Sequence, residues 1–147
     1  MQGELVLHYQ PQVDLISREL IGAEALIRWR HPSKGLLAPG QFLPEVEGSA
    51  LERAIGDWVI AAALEQLAVW KRQGLELTLG INISAGHLME PGFAQRLSAQ
   101  LERYPAVTPA NVELEILETT ALSDSIHSRK SCWPMRAAAC AWSQETG

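Results

Sequence analysis

The sequence predicts an α/β fold of barrel type, in which strands and helices alternate and the first two strands run against each other. Three observations predict it. Four segments show the two-residue alternation of strands, and two longer segments between them repeat apolar residues at spacings of three and four. The link between the first two strands is too short for a crossover helix, whereas the later links are long enough to return the chain for parallel pairing.

The first strand is Leu5 to Val13, with Leu5, Leu7 and Tyr9 alternating. In Leu20 to Trp29, Ile21, Ala23, Ala25 and Ile27 oppose Gly22, Glu24, Leu26 and Arg28. Only residues 14–19 separate these two, so they form an antiparallel hairpin. A short helix begins near Pro39. The first long helix covers 50–72, where Leu51, Ile55, Val59, Ala62, Ala63, Leu67 and Trp70 share a stripe, and Gly74 stops it. The third strand is Leu77 to Ser84. A second helix over 89–103 carries Phe93, Leu97 and Leu101, and Pro105 closes it. The fourth strand is Val112 to Leu117, with Val112, Leu114 and Ile116 set against Glu113 and Glu115. No further strand pattern is evident in 125–147, so the sheet is expected to end on an open edge beyond the fourth strand. Such an edge exposes unpaired backbone groups and favours self-association.

Composition narrows the function. With 47% apolar and 20% charged residues, the 147-residue chain suits one soluble globular domain. A net charge of −5 argues against a nucleic acid polymer as partner. No apolar run approaches the roughly 20 residues of a membrane span, and the start lacks the pattern of a signal peptide. Cys132 and Cys140 are too few for a disulfide framework and have no metal-ligand spacing. A cytoplasmic setting is expected.

Each strand carries polar residues in the register opposite its large aliphatics: Gln10, then Glu24 and Arg28, then Asn82, then Glu115. In an α/β barrel one strand face packs on helices and the other points inward, where a carboxylate or amide is costly unless paired or bound to something. Four successive strands offering such groups imply one convergent site at the strand ends, where barrel enzymes hold their active sites. The residues alone leave other readings open. Glu24 and Glu115 also fit exposed strand carboxylates, Asn82 a satisfied core or turn amide, Arg28 a partner for Glu24, and Gln10 a group that satisfies backbone. His8, His87 and His127 show no recognisable spacing.

The segments Tyr9-Gln10-Pro11, Gly22-Ala23-Glu24-Ala25-Leu26-Ile27-Arg28-Trp29, Arg30-His31-Pro32, Pro39 to Pro44, Ile81-Asn82-Ile83-Ser84 and Glu115-Ile116-Leu117-Glu118 resemble the EAL-domain family of cyclic di-GMP phosphodiesterases. The resemblance implies a TIM-type (β/α)8 barrel with an antiparallel first strand. It also implies Mg2+- or Mn2+-dependent hydrolysis of cyclic di-GMP to linear pGpG in bacterial second-messenger signalling. By the same resemblance Glu24, Asn82 and Glu115 are metal ligands. Gln10, Leu26 and Arg28 contact the nucleotide, and Glu118 holds an active-site loop. Oxygen donors suit a hard divalent cation, and a guanidinium suits phosphate oxygens.

The resemblance covers about residues 4–124. The family's later aspartates, lysine and general-base glutamate have no counterpart, and a barrel of this kind takes about 250 residues. Residues 1–124 therefore read as the N-terminal part of an EAL domain, present as a partial barrel, and 125–147 as a divergent tail from a reading-frame change or truncation. On this reading the 147-residue polypeptide lacks a complete catalytic set and is expected not to hydrolyse cyclic di-GMP. The alternative is a degenerate, non-catalytic module that binds the nucleotide or a protein.

Overall fold

The computed structural model describes residues 4–117 and the backbone of residues 129–134. Strand β1 (Leu5–Val13) pairs antiparallel with β2 (Leu20–His31), and short β3 (Gly35–Leu37) folds back onto the end of β2. A 3-10 turn (Pro39–Gln41) and a single helical turn, α1 (Leu43–Val46), lead into the long helix α2 (Ala50–Arg72). Then follow β4 (Thr78–Ser84), α3 (Ala85–Leu88), α4 (Phe93–Glu102), a 3-10 turn (Pro109–Asn111), β5 (Val112–Leu117) and β6 (Arg129–Pro134). The strand order is β1-β2-β4-β5-β6. Strands β2, β4 and β5 are parallel, and β6 is antiparallel to β5.

The period-two pattern places Leu7, Tyr9, Ala23, Ala25, Leu79, Ile81, Ile83, Val112 and Leu114 on one sheet face. That face packs against the α2 stripe of Ile55, Val59, Ala63, Leu64 and Leu67 in a single core. Helix α2 ends as its glycine predicts. Gly74 has φ +82°, the Leu75 amide donates to the Trp70 carbonyl, and the Gly74 amide donates to that of Lys71. The β1–β2 link is a tight turn in which the Asp14 carboxylate accepts from the amides of Ser17 (3.0 Å) and Ile16 (2.7 Å). Those two bonds hold the Asp14 carboxyl below its ordinary pKa.

The structure corrects three sequence expectations. The second helix begins at Phe93 rather than 89, because Pro91 disfavours helical backbone before it and Gly92 takes φ +83° at the cap. The segment ahead of it forms the separate turn α3. Residues 129–134 form a strand where none is evident in the sequence. The edge of β5 is paired with β6 instead of being open, since backbone groups at a sheet edge accept a partner without any side-chain pattern. Residues 35–37 form β3, whose three residues are too few to show alternation. Among the described residues, no helix is long and apolar enough to cross a membrane.

Two contacts set the geometry on which the polar face depends. Asn111 accepts from the Thr108 hydroxyl (2.8 Å) and donates to the Leu77 carbonyl (3.4 Å), tying the start of β5 to the residue before β4. The register that follows pairs Leu79 with Val112 and Asn82 with Glu115. On the other face Tyr9 meets Trp70 edge to face, with centroids 5.1 Å apart. Burial, and then the nearby Glu65 carboxylate, push the Tyr9 phenol from 10.0 up to about 12. Its folded pKa is raised, so its contribution to stability is fully present below pH 10 and is lost as the pH rises through about 12. Stability followed by chemical denaturation should fall over that window, and Tyr9→Phe should flatten the fall. An unchanged alkaline limb in Tyr9→Phe would assign it to another group.

Candidate active site

The polar face of the sheet is built from strand register. Gln10 on β1 lies opposite Glu24 on β2, Glu24 opposite Gly80 on β4, and Asn82 on β4 opposite Glu115 on β5. All therefore stand on the face turned away from α2. Glu24 and Glu115 are buried, at 4% and 7% exposure. Asn82 bridges toward the first of them, its Nδ2 donating to Glu24 Oε1 at 3.2 Å. A Cβ at Gly80 would stand 3.1 Å from Glu115 Oε1, so the missing side chain leaves room for that carboxylate. The sequence pattern alone does not single out Gly80.

The remaining candidates border this group. Leu26 and Arg28 follow Glu24 on the same face of β2, and both are half-buried. The Arg28 guanidinium turns back on its own strand, Nη1 donating to the Ile27 carbonyl at 2.8 Å. Gln10 is exposed. Glu118 lies outside the described residues.

The donor set fits a hard divalent cation. Two buried carboxylates and an amide side chain stand on adjacent strands of one face, and Mg2+ and Mn2+ take oxygen ligands of these types. Among the described residues, no three His, Cys, Asp or Glu side chains gather as a ligand group. The third donor in this set is the Asn82 amide.

A second polar cluster joins the helices, and its residues are too far apart in sequence for spacing to reveal it. His87 on α3 is 2% exposed, and its Nε2 lies 2.9 Å from Asp57 Oδ1 on α2. Asp57 Oδ2 also faces Arg53 Nε at 3.9 Å and Arg96 Nε at 3.8 Å. Both arginines reach Glu90, at 3.4 and 3.2 Å.

Comparison with known proteins agrees with this architecture. The EAL domain family matches residues 1–141. The bifunctional diguanylate cyclase/cyclic di-GMP phosphodiesterase MucR of Pseudomonas aeruginosa is 39% identical over 123 residues, which make up 83% of this chain and 18% of that protein. The cyclic di-GMP phosphodiesterase PdeR of Escherichia coli is 36% identical over 112 residues, 76% of this chain and 17% of that protein. Among solved structures, PaMucR phosphodiesterase in complex with c-di-GMP superposes with a TM-score of 0.75 at 39% identity, covering 84% of this chain and 50% of that one. The EAL enzyme Bd1971 with cAMP and cyclic di-GMP bound gives 0.73 at 30% identity, covering 86% and 36%. The chain thus spans about a fifth of the length of these curated relatives and half or less of these solved chains.

Proposed function

The chain belongs to the EAL domain family and shares part of its TIM-barrel-like fold, and from that premise we propose that it supplies one side of a site hydrolysing cyclic di-GMP to the linear dinucleotide. The observation that carries the proposal is the convergence of Glu24, Asn82 and Glu115 on one sheet face, with Asn82 bonded to Glu24 and in register with Glu115. These three would hold Mg2+ or Mn2+. Such an ion, when bound, makes water a better nucleophile at neutral pH and offsets negative charge on the phosphoryl oxygens.

The chain's own residues contribute in distinct ways. Glu24 and Glu115 concentrate negative charge in a buried place, which favours a cation over bulk water. Arg28 offers a planar fork to a phosphate once it leaves the Ile27 carbonyl. Leu26 gives an apolar wall beside it, Gln10 offers amide hydrogen bonds across the β1–β2 pair, and Glu118 would hold a loop at the site. The setting is cytoplasmic on this reading, which the lack of a disulfide framework supports. Self-association would use an outer strand of the sheet, β1 or β6, rather than the paired edge of β5; sedimentation of a monomer at high concentration would remove it.

The test is Mn2+ binding by calorimetry, with and without cyclic di-GMP. Asn82→Ala and Glu115→Ala should each weaken Mn2+ binding about tenfold or more. Unchanged affinity in both variants would overturn the assignment.

A further inference from the structure

We infer that His87 is a positioning residue for Asn82, acting through its buried contact with Asp57; the inference rests on the cation site proposed above. Strand β4 passes into α3 with no intervening loop, since Ser84 ends one and Ala85 begins the other. Ser84 caps that turn, its hydroxyl accepting from the His87 amide at 3.1 Å. Whatever fixes α3 therefore fixes the end of the strand that carries Asn82.

His87 fixes it together with Leu88, which packs against the core, and His87 makes its polar tie to another helix. Its ring lies edge-on to Phe93 at 5.1 Å, which ties α3 to the first residue of α4. Its Nε2 reaches Asp57 on α2. Its Nδ1 side rests on Gly56, where a Cβ would come within 2.3 Å of that nitrogen. The imidazole is thus held on three sides by two other helices. Nδ1 is buried with no hydrogen-bond partner among the described residues. That cost is tolerable when Nδ1 is the bare nitrogen of a neutral ring and Nε2–H is the donor to Asp57. The charged groups around the pair are Arg53 on α2 and Arg96 on α4, whose Nε atoms lie 3.9 and 3.8 Å from Asp57 Oδ2, and Glu90 between α3 and α4, which pairs with both arginines.

A hydrogen bond that orients a strand end behaves as an outer support for the ligand on that strand, and loss of such supports typically costs about 10–100-fold in metal affinity. Mn2+ affinity and unfolding midpoint should be measured for the wild type, Asn82→Ala, His87→Ala, His87→Gln, Asp57→Ala and the double variant His87→Ala/Asp57→Ala. His87→Ala and Asp57→Ala should each weaken Mn2+ binding about tenfold, and the double variant no further, because both remove the same support. His87→Gln should stay within about twofold, since its amide N–H can meet Asp57 and only the ring is lost. Asp57 is at the helix surface with its side chain 34% exposed, so its variant remains informative should His87→Ala fail to fold. Full affinity in Asp57→Ala, or losses that multiply in the double variant, would overturn the inference. A loss in Asn82→Ala with none in the His87 and Asp57 variants overturns this inference alone. No loss in Asn82→Ala overturns the cation site beneath it.

Discussion

Where the rest of an EAL barrel completes the catalytic set that these 147 residues lack, Glu24→Ala is expected to lower Mn2+-dependent hydrolysis of cyclic di-GMP by about 10²–10³-fold. Glu24 is 4% exposed and accepts a hydrogen bond from the Asn82 amide, so its removal takes away both a buried carboxylate and the group that orients a second donor. The cation's contribution to a phosphoryl reaction is worth several kcal/mol, and each 1.36 kcal/mol or so is a factor of ten in rate. The loss should appear in kcat as well as in the Mn2+ concentration needed for half-maximal rate. Linear dinucleotide followed by chromatography reads it directly. A variant that keeps more than about a tenth of the wild-type rate across Mn2+ concentrations would remove Glu24 from the site.

Gly22→Ala is expected to destabilise the fold by about 2–3 kcal/mol. Gly22 is buried where β2 begins its parallel pairing with β4, opposite Thr78. An added Cβ would stand 2.5 Å from the Thr78 carbonyl oxygen and 3.3 Å from Gln12 Oε1. The first obstacle is backbone, so the two strands must part, and the registration of Glu24 with Gly80 is disturbed two residues away. Gly80→Ala is the natural control. There the new methyl comes 3.1 Å from Glu115 Oε1, the tip of a side chain, and only 3.8 Å, an ordinary contact, from the nearest backbone atom, the Ala23 carbonyl oxygen, so stability should fall less than in Gly22→Ala. Denaturant midpoints of the two variants check the ordering, and equal losses would mean that the β2–β4 approach is looser than it stands here.

Much of the polar face was legible in the sequence because it depends on parity alone. Glu24, Asn82 and Glu115 oppose aliphatics in strands whose alternation is clear, and parity assigns them to one face without any knowledge of which strands are neighbours. Their adjacency was not legible, since it needs the strand order and register as well. Strand β3 escaped because three residues cannot display a period. The start of α4 shifted because Pro91 and Gly92 act on backbone angles rather than on hydrophobic pattern. The pairing of Asp57 with His87 joins residues 30 apart on different helices, and nothing local foretells it. Gly80 reads as a strand-weakening glycine until the carboxylate that lies beside it is seen.

The Asn111 clasp at the foot of β4 and β5 guards against one specific error of assembly. Strand β5 offers two acids of the same parity, Glu113 and Glu115, and Asn82 stands opposite the second. A slip of one residue would turn both acids toward the helices and bury them in apolar surroundings, so hydrophobic sorting alone rejects it. A slip of two residues passes that filter: every aliphatic stays on its proper side, and Glu113 simply takes the place of Glu115 beside Asn82. What distinguishes the correct alignment from this counterfeit is therefore a polar bond at the far end of the strands, from Asn111 to the Leu77 carbonyl. The fidelity of the acid choice is vested in a residue that never touches the acids.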